Sequence, residues 1–356
     1  MQIVCNPPPP ISWLGAFRIL SKSFPSYIEQ VKMILHITNG DCAVDALKKA
    51  GMEGEILPWR DLLHEGPVPA GKTLGQMSKI RARFIMQLWP HIKSVDKGFA
   101  KRDRLLASFR KYNETILWFE HDLYDQLQLI QILDWFHGRK KGTSRLSIVI
   151  TGEYISEGIH LNKYFRARKK VSSEQLNLAK SAWSAFCSPD PRNILKIISR
   201  DTSSLPFLGS SLIRHLQQFP SCENGLNRTE KQILEAVDSG AYSPSSIFKK
   251  CQKLEEPKFM GDAVFWIYLE NLINCRYPLL KLKNCKKFHP PAKFANINDF
   301  NSQKILITKT GIQVLQSKAD WIELKGIDKW LGGVHLREKN VWRWDECGRK
   351  MKHDKS

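Results

Sequence analysis

The sequence predicts an α/β protein: a Rossmann-like parallel-sheet domain, then a mainly helical region that ends in a winged-helix-like module. Three observations carry that expectation. Short apolar runs at 34–38, 55–59, 115–119 and 146–151 alternate with helical patterns, the mark of a parallel sheet with right-handed crossovers. Two of these runs end in polar groups, Asn39-Gly40-Asp41 and Glu120-His121-Asp122, each followed at once by a helix. Beyond Gly152 the pattern turns helical, and three short helices followed by strand-like segments close the chain.

In chain order, the first strand (34–38) leads to a helix from about Cys42 to Ala50, which Gly51 terminates. The second strand (55–59) enters the loop from Arg60 to Pro69, which Pro67 and Pro69 keep out of regular structure. A basic, helix-rich segment runs from Leu74 to Tyr112. The third strand feeds a helix from Leu123 to His137, and the fourth closes the unit. Apolar residues recur at helical spacing over 173–186, 191–199 and 205–219, punctuated by Pro189, Pro191, Pro206 and Pro220. Asn227-Arg-Thr-Glu230 is a capping box, Ser243-Pro244 opens a second helix through Leu254, and Asp262 opens a third to Ile273. Strand-like 279–282 and 305–308 and a Trp-rich end follow. The domains read as a leader (1–32), an α/β domain (33–152), a helical connector (153–223), a winged-helix-like domain (224–345) and a basic tail (346–356). The Pro-rich leader looks foreign to the rest, and Met33 directly before the first strand reads as the natural start.

At 356 residues the chain exceeds one ordinary core. The net charge of +20 attracts phosphate-bearing partners or simply keeps the chain soluble. Lys281, Lys283, Lys286, Lys287 and Lys293 form an acid-free run. The eight cysteines form no CxxC pair and no zinc-finger spacing, which fits reduced thiols in cytoplasm. No apolar stretch approaches the roughly 20 residues that span a bilayer. There is no GxGxxG and no GxSxG around Ser203 or Ser204, so the dinucleotide fingerprint is absent and a nucleophile elbow is not supported.

Polar groups at the carboxyl ends of parallel strands lie where open α/β sheets hold ligands. Asp41 caps its helix or orients a ligand beside Gly40 and the free N–H groups of the first turn. Asp122 reads as an N-cap, with Asp125 in the first turn for the helix dipole. Glu120 and His121 point to opposite sides if the strand continues. Gln126 lies on a helix apolar on most sides, where a buried amide needs partners. His36, within an apolar strand, is a core histidine or a ligand contact. His64, in its Gly/Pro-framed loop, is a general base or a solvent-facing ring. The expected site therefore has His64, Glu120, His121 and Asp122 as catalytic candidates. His36, Asn39, Gly40, Asp41, Arg60 and Gln126 are the ligand-binding ones. A metal would need a further ligand from His36, Asp41 or His64, and no cofactor is specified.

The third helix of the terminal module has two acids and no Lys or Arg, which disfavours base reading. Lys249, Lys250 and Lys253, or the basic run, would touch a nucleic-acid backbone only. Trp321, Trp330, Trp342 and Trp344 read as a packed terminal lid.

Several blocks resemble a bacterial family catalogued as domain-of-unknown-function family eighteen thirty-five. They are His36-Ile-Thr-Asn39-Gly40-Asp41, Trp59-Arg60-Asp61 with Leu63-His64-Glu65-Gly66-Pro67, and Trp118 through Leu127. Asp201-Thr202 with Leu205-Pro206-Phe207, Asn224 to Glu230, Phe259-Met260-Gly261-Asp262 and Trp330 to Leu336 extend the similarity to about Asp345. The resemblance implies a standalone bacterial protein with the α/β domain first and a helical, winged-helix-like remainder; it brings no reaction or cofactor. Such relatives often carry Ser where this chain has Cys42, and if that position bonds a ligand the Cys42 thiol is the weaker donor.

The expected function is binding of a small polar or phosphate-bearing ligand at the sheet's carboxyl edge. Any chemistry would be hydrolysis or group transfer, with Arg60 as anion clamp. Two alternatives stand beside it: a nucleic-acid-associated regulator, and an interaction scaffold without catalysis.

Overall fold

The computed structural model describes residues 33–139, 144–155, 160–283, 287–291, 297–338 and 341–354. The expected leader, Lys286 and Lys293 of the basic run, Cys5 and Cys285 lie outside them.

Strands β1 (Ile34–Thr38) and β2 (Glu55–Pro58) flank helix α1 (Asp41–Lys49). A two-residue strand β3 (Gly66–Pro67) precedes helices α2 (Leu74–Leu88) and α3 (Val95–Ala107). Then come β4 (Glu114–Phe119), α4 (Leu123–Phe136) and β5 (Arg145–Ile150). Helix α5 (Leu161–Ala167) returns to a short β6 (Lys169–Lys170). The sheet order is β2-β1-β4-β5-β6, parallel except for β6. The chain is thus a mixed α/β protein with a mostly parallel central sheet.

The strands alternate as a period-two pattern requires. Leu35, Ile37, Leu117 and Phe119 join the main core with α4, while Ile116, Trp118 and Val149 face α1 and α5 with Ala43, Leu47 and Leu161. Helix α4 is apolar on most sides because it is enclosed. It packs on β4 and against α6 (Ser173–Phe186) and α8 (Leu208–Leu216), with α7 (Arg192–Ile198) between them in sequence. Leu127, Leu129, Ile130, Ile132 and Leu133 are all fully buried there.

The capping signals mark real starts. Asn227 and Ser243 cap α9 (Arg228–Asp238) and α10 (Pro244–Gln252), the latter with Pro in its first turn. Helix α11 (Asp262–Ile273) follows, buried on Val264, Phe265, Tyr268, Leu269 and Leu272. Strand β7 (Leu280–Leu282), α12 (Ile297–Ser302) and β8 (Ile305–Ile307) come next, and β7 pairs antiparallel with β8. Helices α13 (Lys309–Leu315) and α14 (Trp321–Lys325) precede four last strands: β9 (Asp328–Gly332), β10 (Val334–Arg337), β11 (Val341–Asp345) and β12 (Lys350–Asp354).

Two expectations change. The loop from Arg60 to Pro69 is not wholly irregular, because Gly66 and Pro67 pair in parallel with Leu331 and Gly332 of β9, and the Val68 N–H donates to Gly332 O at 2.7 Å. Pro67 is tolerated since the ladder there takes its donor from Val68. Much of the expected basic tail is β12, paired with β11 in register Trp344↔Met351. Gly332 and Gly333 are needed for close approach: a Cβ on Gly333 would lie 1.9 Å from the Cys187 carbonyl oxygen, and Gly332 has φ +59°.

Candidate functional site

The chain leaves β1 for β2 on one side and later returns to β4 on the other. The carboxyl ends of β1 and β4 therefore border the point where strand order reverses, where open α/β sheets form their crevice. Asn39 follows β1, and Glu120, His121 and Asp122 follow β4.

There the structure brings together Glu120, Asp122 and Asp125, whose carboxylate oxygens all lie within 4.8 Å of one another. They are 6%, 5% and 0% exposed. Asp122 caps α4, accepting the Asp125 N–H at 3.0 Å. Asp125 accepts the Glu120 N–H at 2.5 Å and the Asn39 amide at 2.8 Å. The Ile155 N–H donates to Glu120 Oε1 at 2.7 Å. Gln126 donates to Glu120 O at 2.7 Å, and its own buried Oε1 accepts nothing among the described residues.

Burial and like charge set the titration of this cluster. Desolvation first, then the Glu120 charge, pushes Asp122 up to about 7, against the opposing backbone hydrogen bonds. Asp125 is raised well above the ordinary carboxylate range by desolvation and by the charges of Asp122 and Glu120. Neither Asp122 nor Asp125 has an ion pair with Lys or Arg among the described residues. Such a cluster holds a proton or a cation near neutral pH.

The other expected residues separate into different places. His36 faces α1 and α5, where it accepts from Trp118 Nε1 at 3.0 Å on Nδ1 and meets Glu53 O at 3.0 Å on Nε2. Both ring nitrogens are committed and burial lowers its pKa, so it is a core histidine and no ligand contact. Asp41 and Arg60 pair with each other at the surface, Arg60 Nε reaching Asp41 Oδ1 at 2.9 Å with both side chains well exposed. Arg60 is thereby occupied rather than waiting as an anion clamp. Gly40 has an extended φ of −171°, and an added Cβ would meet only the Tyr124 hydroxyl at 3.9 Å.

His64 is neither solvent-facing nor suited to act as a base. It is 1% exposed, edge-on to Tyr124 and Phe259 at 5.9 and 5.3 Å. Burial, then the charges of Arg81, Lys329 and Arg214, pull its pKa down to about 3, so it stays neutral far below operating pH. His121 keeps its place at the strand end, its ring 5.0 Å from Tyr154 and 5.6 Å from Phe207, with its pKa lowered mainly by burial.

The position of the His64 loop is fixed by a residue that sequence reading passed over. Arg81 on α2 is fully buried: Nε donates to Asp61 Oδ1 at 2.9 Å, Nη1 to Glu65 O at 2.7 Å and Nη2 to Leu62 O at 2.7 Å. A guanidinium fork is the one side chain that satisfies a carboxylate and successive carbonyls at once. Asp125 was the other omission from the site; its first-turn position explained it too readily as a dipole partner.

A cleft of about 700 Å³ runs along the outer strand β2 and the α2–α3 turn. Trp59, Trp89 and Phe99 line its wall with Arg60, Lys93 and Lys101. Hydrogen bonds join it to the carboxylates, since the Arg60 N–H donates to Asn39 O at 3.1 Å and the Asn39 side chain reaches Asp125.

No protein-family model matches this chain, and no curated protein matches it. Among the described residues no helix is long and apolar enough to cross a membrane.

Proposed function

We propose that the protein binds a hard divalent cation on Glu120, Asp122 and Asp125, and through it a small phosphate-bearing ligand, at the carboxyl edge of its sheet. The observation that carries this reading is the burial of Asp122 and Asp125 against one another without a cation among the described residues. Oxygens sharing one Ca²⁺ at its usual bond lengths stand at most about 5 Å apart, which the 4.8 Å spread meets. All-carboxylate donors select Mg²⁺, Mn²⁺ or Ca²⁺ over softer metals. Lys93 and Lys101 on the wall of the β2 cleft suit the phosphate, and its aromatic residues suit the remainder of the ligand. A cation there supports hydrolysis or group transfer by polarising a phosphoryl oxygen, with His121 the imidazole at that strand end.

The test is thermal unfolding with Ca²⁺, Mn²⁺ or Mg²⁺, then with nucleotides and sugar phosphates added. Saturable stabilisation by a metal, lost in Asp125→Asn, supports the reading. An unchanged midpoint with every metal overturns it.

The finer fold assignments belong to the same proposal. We read the sheet as Rossmann-like, helices α9 to α11 with the β7–β8 pair as winged-helix-like, and the chain as a cytoplasmic member of the family it resembles. With α11 buried and free of Lys and Arg, nucleic-acid binding by that module would rest on backbone contacts from exposed Lys249 and Lys253 on and after α10.

A further inference from the structure

A separate cavity of about 490 Å³ opens between the Glu65 loop, the end of α2, α11, α14 and β9. Part of its polar wall is preassembled. The buried Tyr268 hydroxyl donates to the Glu65 carboxylate and accepts Lys329 Nζ at 2.8 Å and Gln218 Nε2 at 3.1 Å. With one proton and both lone pairs used, that hydroxyl fixes Glu65 and Lys329 as a pair 3.6 Å apart.

A second set of opposite charges borders the same space. Glu230, in the first turn of α9, uses Oε2 to accept the Asn227 N–H at 2.9 Å, and its Oε1 is uncommitted among the described residues. Lys325, at the end of α14, lies 4.0 Å over the Trp321 ring and has no ion pair among the described residues. Phe84, Val264, Ile267 and Trp330 make the remaining wall apolar and partly flat.

We propose that this cavity binds a free α-amino acid with a large apolar side chain. Its carboxylate is taken by Lys325, its ammonium by Glu230, and its side chain by Phe84 and Trp330. The lining sets Glu65, Glu230 and Asp328 against Lys325 and Lys329, with Asp328 turned to His335 at 2.7 Å, so both signs border the space and a ligand of one sign meets repulsion as well as attraction. A zwitterion meets both signs, and its ammonium supplies a counter-charge to Glu230, the partner that burial leaves poorly solvated. A nucleotide brings several negative charges to a wall that already holds Glu65 and Glu230. The cavity shares no residue with the carboxylate cluster, so either site stands if the other fails.

The experiment is calorimetric titration of the full chain with L-phenylalanine, phenethylamine and 3-phenylpropionate, the last two each lacking one charged group. L-Phenylalanine binds saturably and each analogue binds at least about tenfold more weakly. Lys325→Met and Glu230→Gln each weaken L-phenylalanine about tenfold with unchanged circular dichroism, since Gln retains the capping bond. The proposal is overturned if L-phenylalanine, L-leucine and L-tryptophan all fail to bind by about 10 mM. It is equally overturned if either analogue binds as well as the amino acid, or if Lys325→Met leaves affinity unchanged. The analogue comparison uses the unaltered protein and so does not depend on any variant folding.

Discussion

Replacing Asp122 by Asn should stabilise the metal-free protein in a pH-dependent way. Asp122 is held at about 7, against roughly 3.9 in an unfolded chain. Between those values the folded state keeps a proton that the unfolded state has released. The wild-type protein therefore loses stability as pH rises from about 4 to about 7, at about 1.4 kcal/mol per pH unit for this group. The whole window amounts to something on the order of 4 kcal/mol. Asparagine caps a helix as well as aspartate does, so the bond to the Asp125 N–H survives while the charge and its repulsion on Asp125 go. Unfolding free energies of both proteins from urea titration should coincide near pH 4 and separate by about 2–4 kcal/mol in favour of Asp122→Asn at pH 8. Saturating Ca²⁺ should reverse the order, because a bound cation stabilises only the ionised cluster. Parallel pH profiles, or a variant weaker than wild type at pH 8 without metal, would refute the reasoning.

Three further outcomes follow from the packing. Arg81→Ala leaves Asp61 charged and buried and frees the carbonyls of Leu62 and Glu65, so urea unfolding should show a loss of about 3–5 kcal/mol. His64, held at about 3, stays neutral when folded but protonates when unfolded, so its contribution disappears as pH falls from about 6.5 towards 3. His64→Leu should therefore gain about 2 kcal/mol on wild type in going from pH 8 to pH 5, read from denaturation midpoints at the two pH values. Gly333→Ala drives a methyl into the Cys187 carbonyl and should cost about 3 kcal/mol or more, visible as a lowered melting temperature.

The strands and most helices were legible because their signals are local. Apolar runs, Gly51, the Asn227 and Ser243 caps and the long apolar α4 each declare themselves within a few residues. The crevice was legible to the same extent: Asn39, Glu120, Asp122 and Gln126 do converge, because strand ends of a parallel sheet share one edge. His36 and His64 misled because an imidazole's role depends on what covers it. Trp118 and Glu53 meet the first from other elements, and Phe259 covers the second from nearly two hundred residues away. The Glu65–Tyr268–Lys329 network left no trace in the sequence, since each member is unremarkable among its own neighbours. The β3–β9 ladder escaped for a related reason: two residues are too short to form a pattern.

That ladder also constrains how the protein is made. Gly66 and Pro67 emerge from the ribosome long before Leu331 and Gly332, the residues they pair with. Contacts so distant in sequence form late, after a large entropic loop has closed. Arg81 can hold the carbonyls of Leu62 and Glu65 early, but Gly66 and Pro67 gain their strand partner only when translation is nearly complete. A nascent chain stopped short of β9 would leave the backbone of Gly66 to Val68 without its ladder, an open edge of the kind that chaperones and proteases engage.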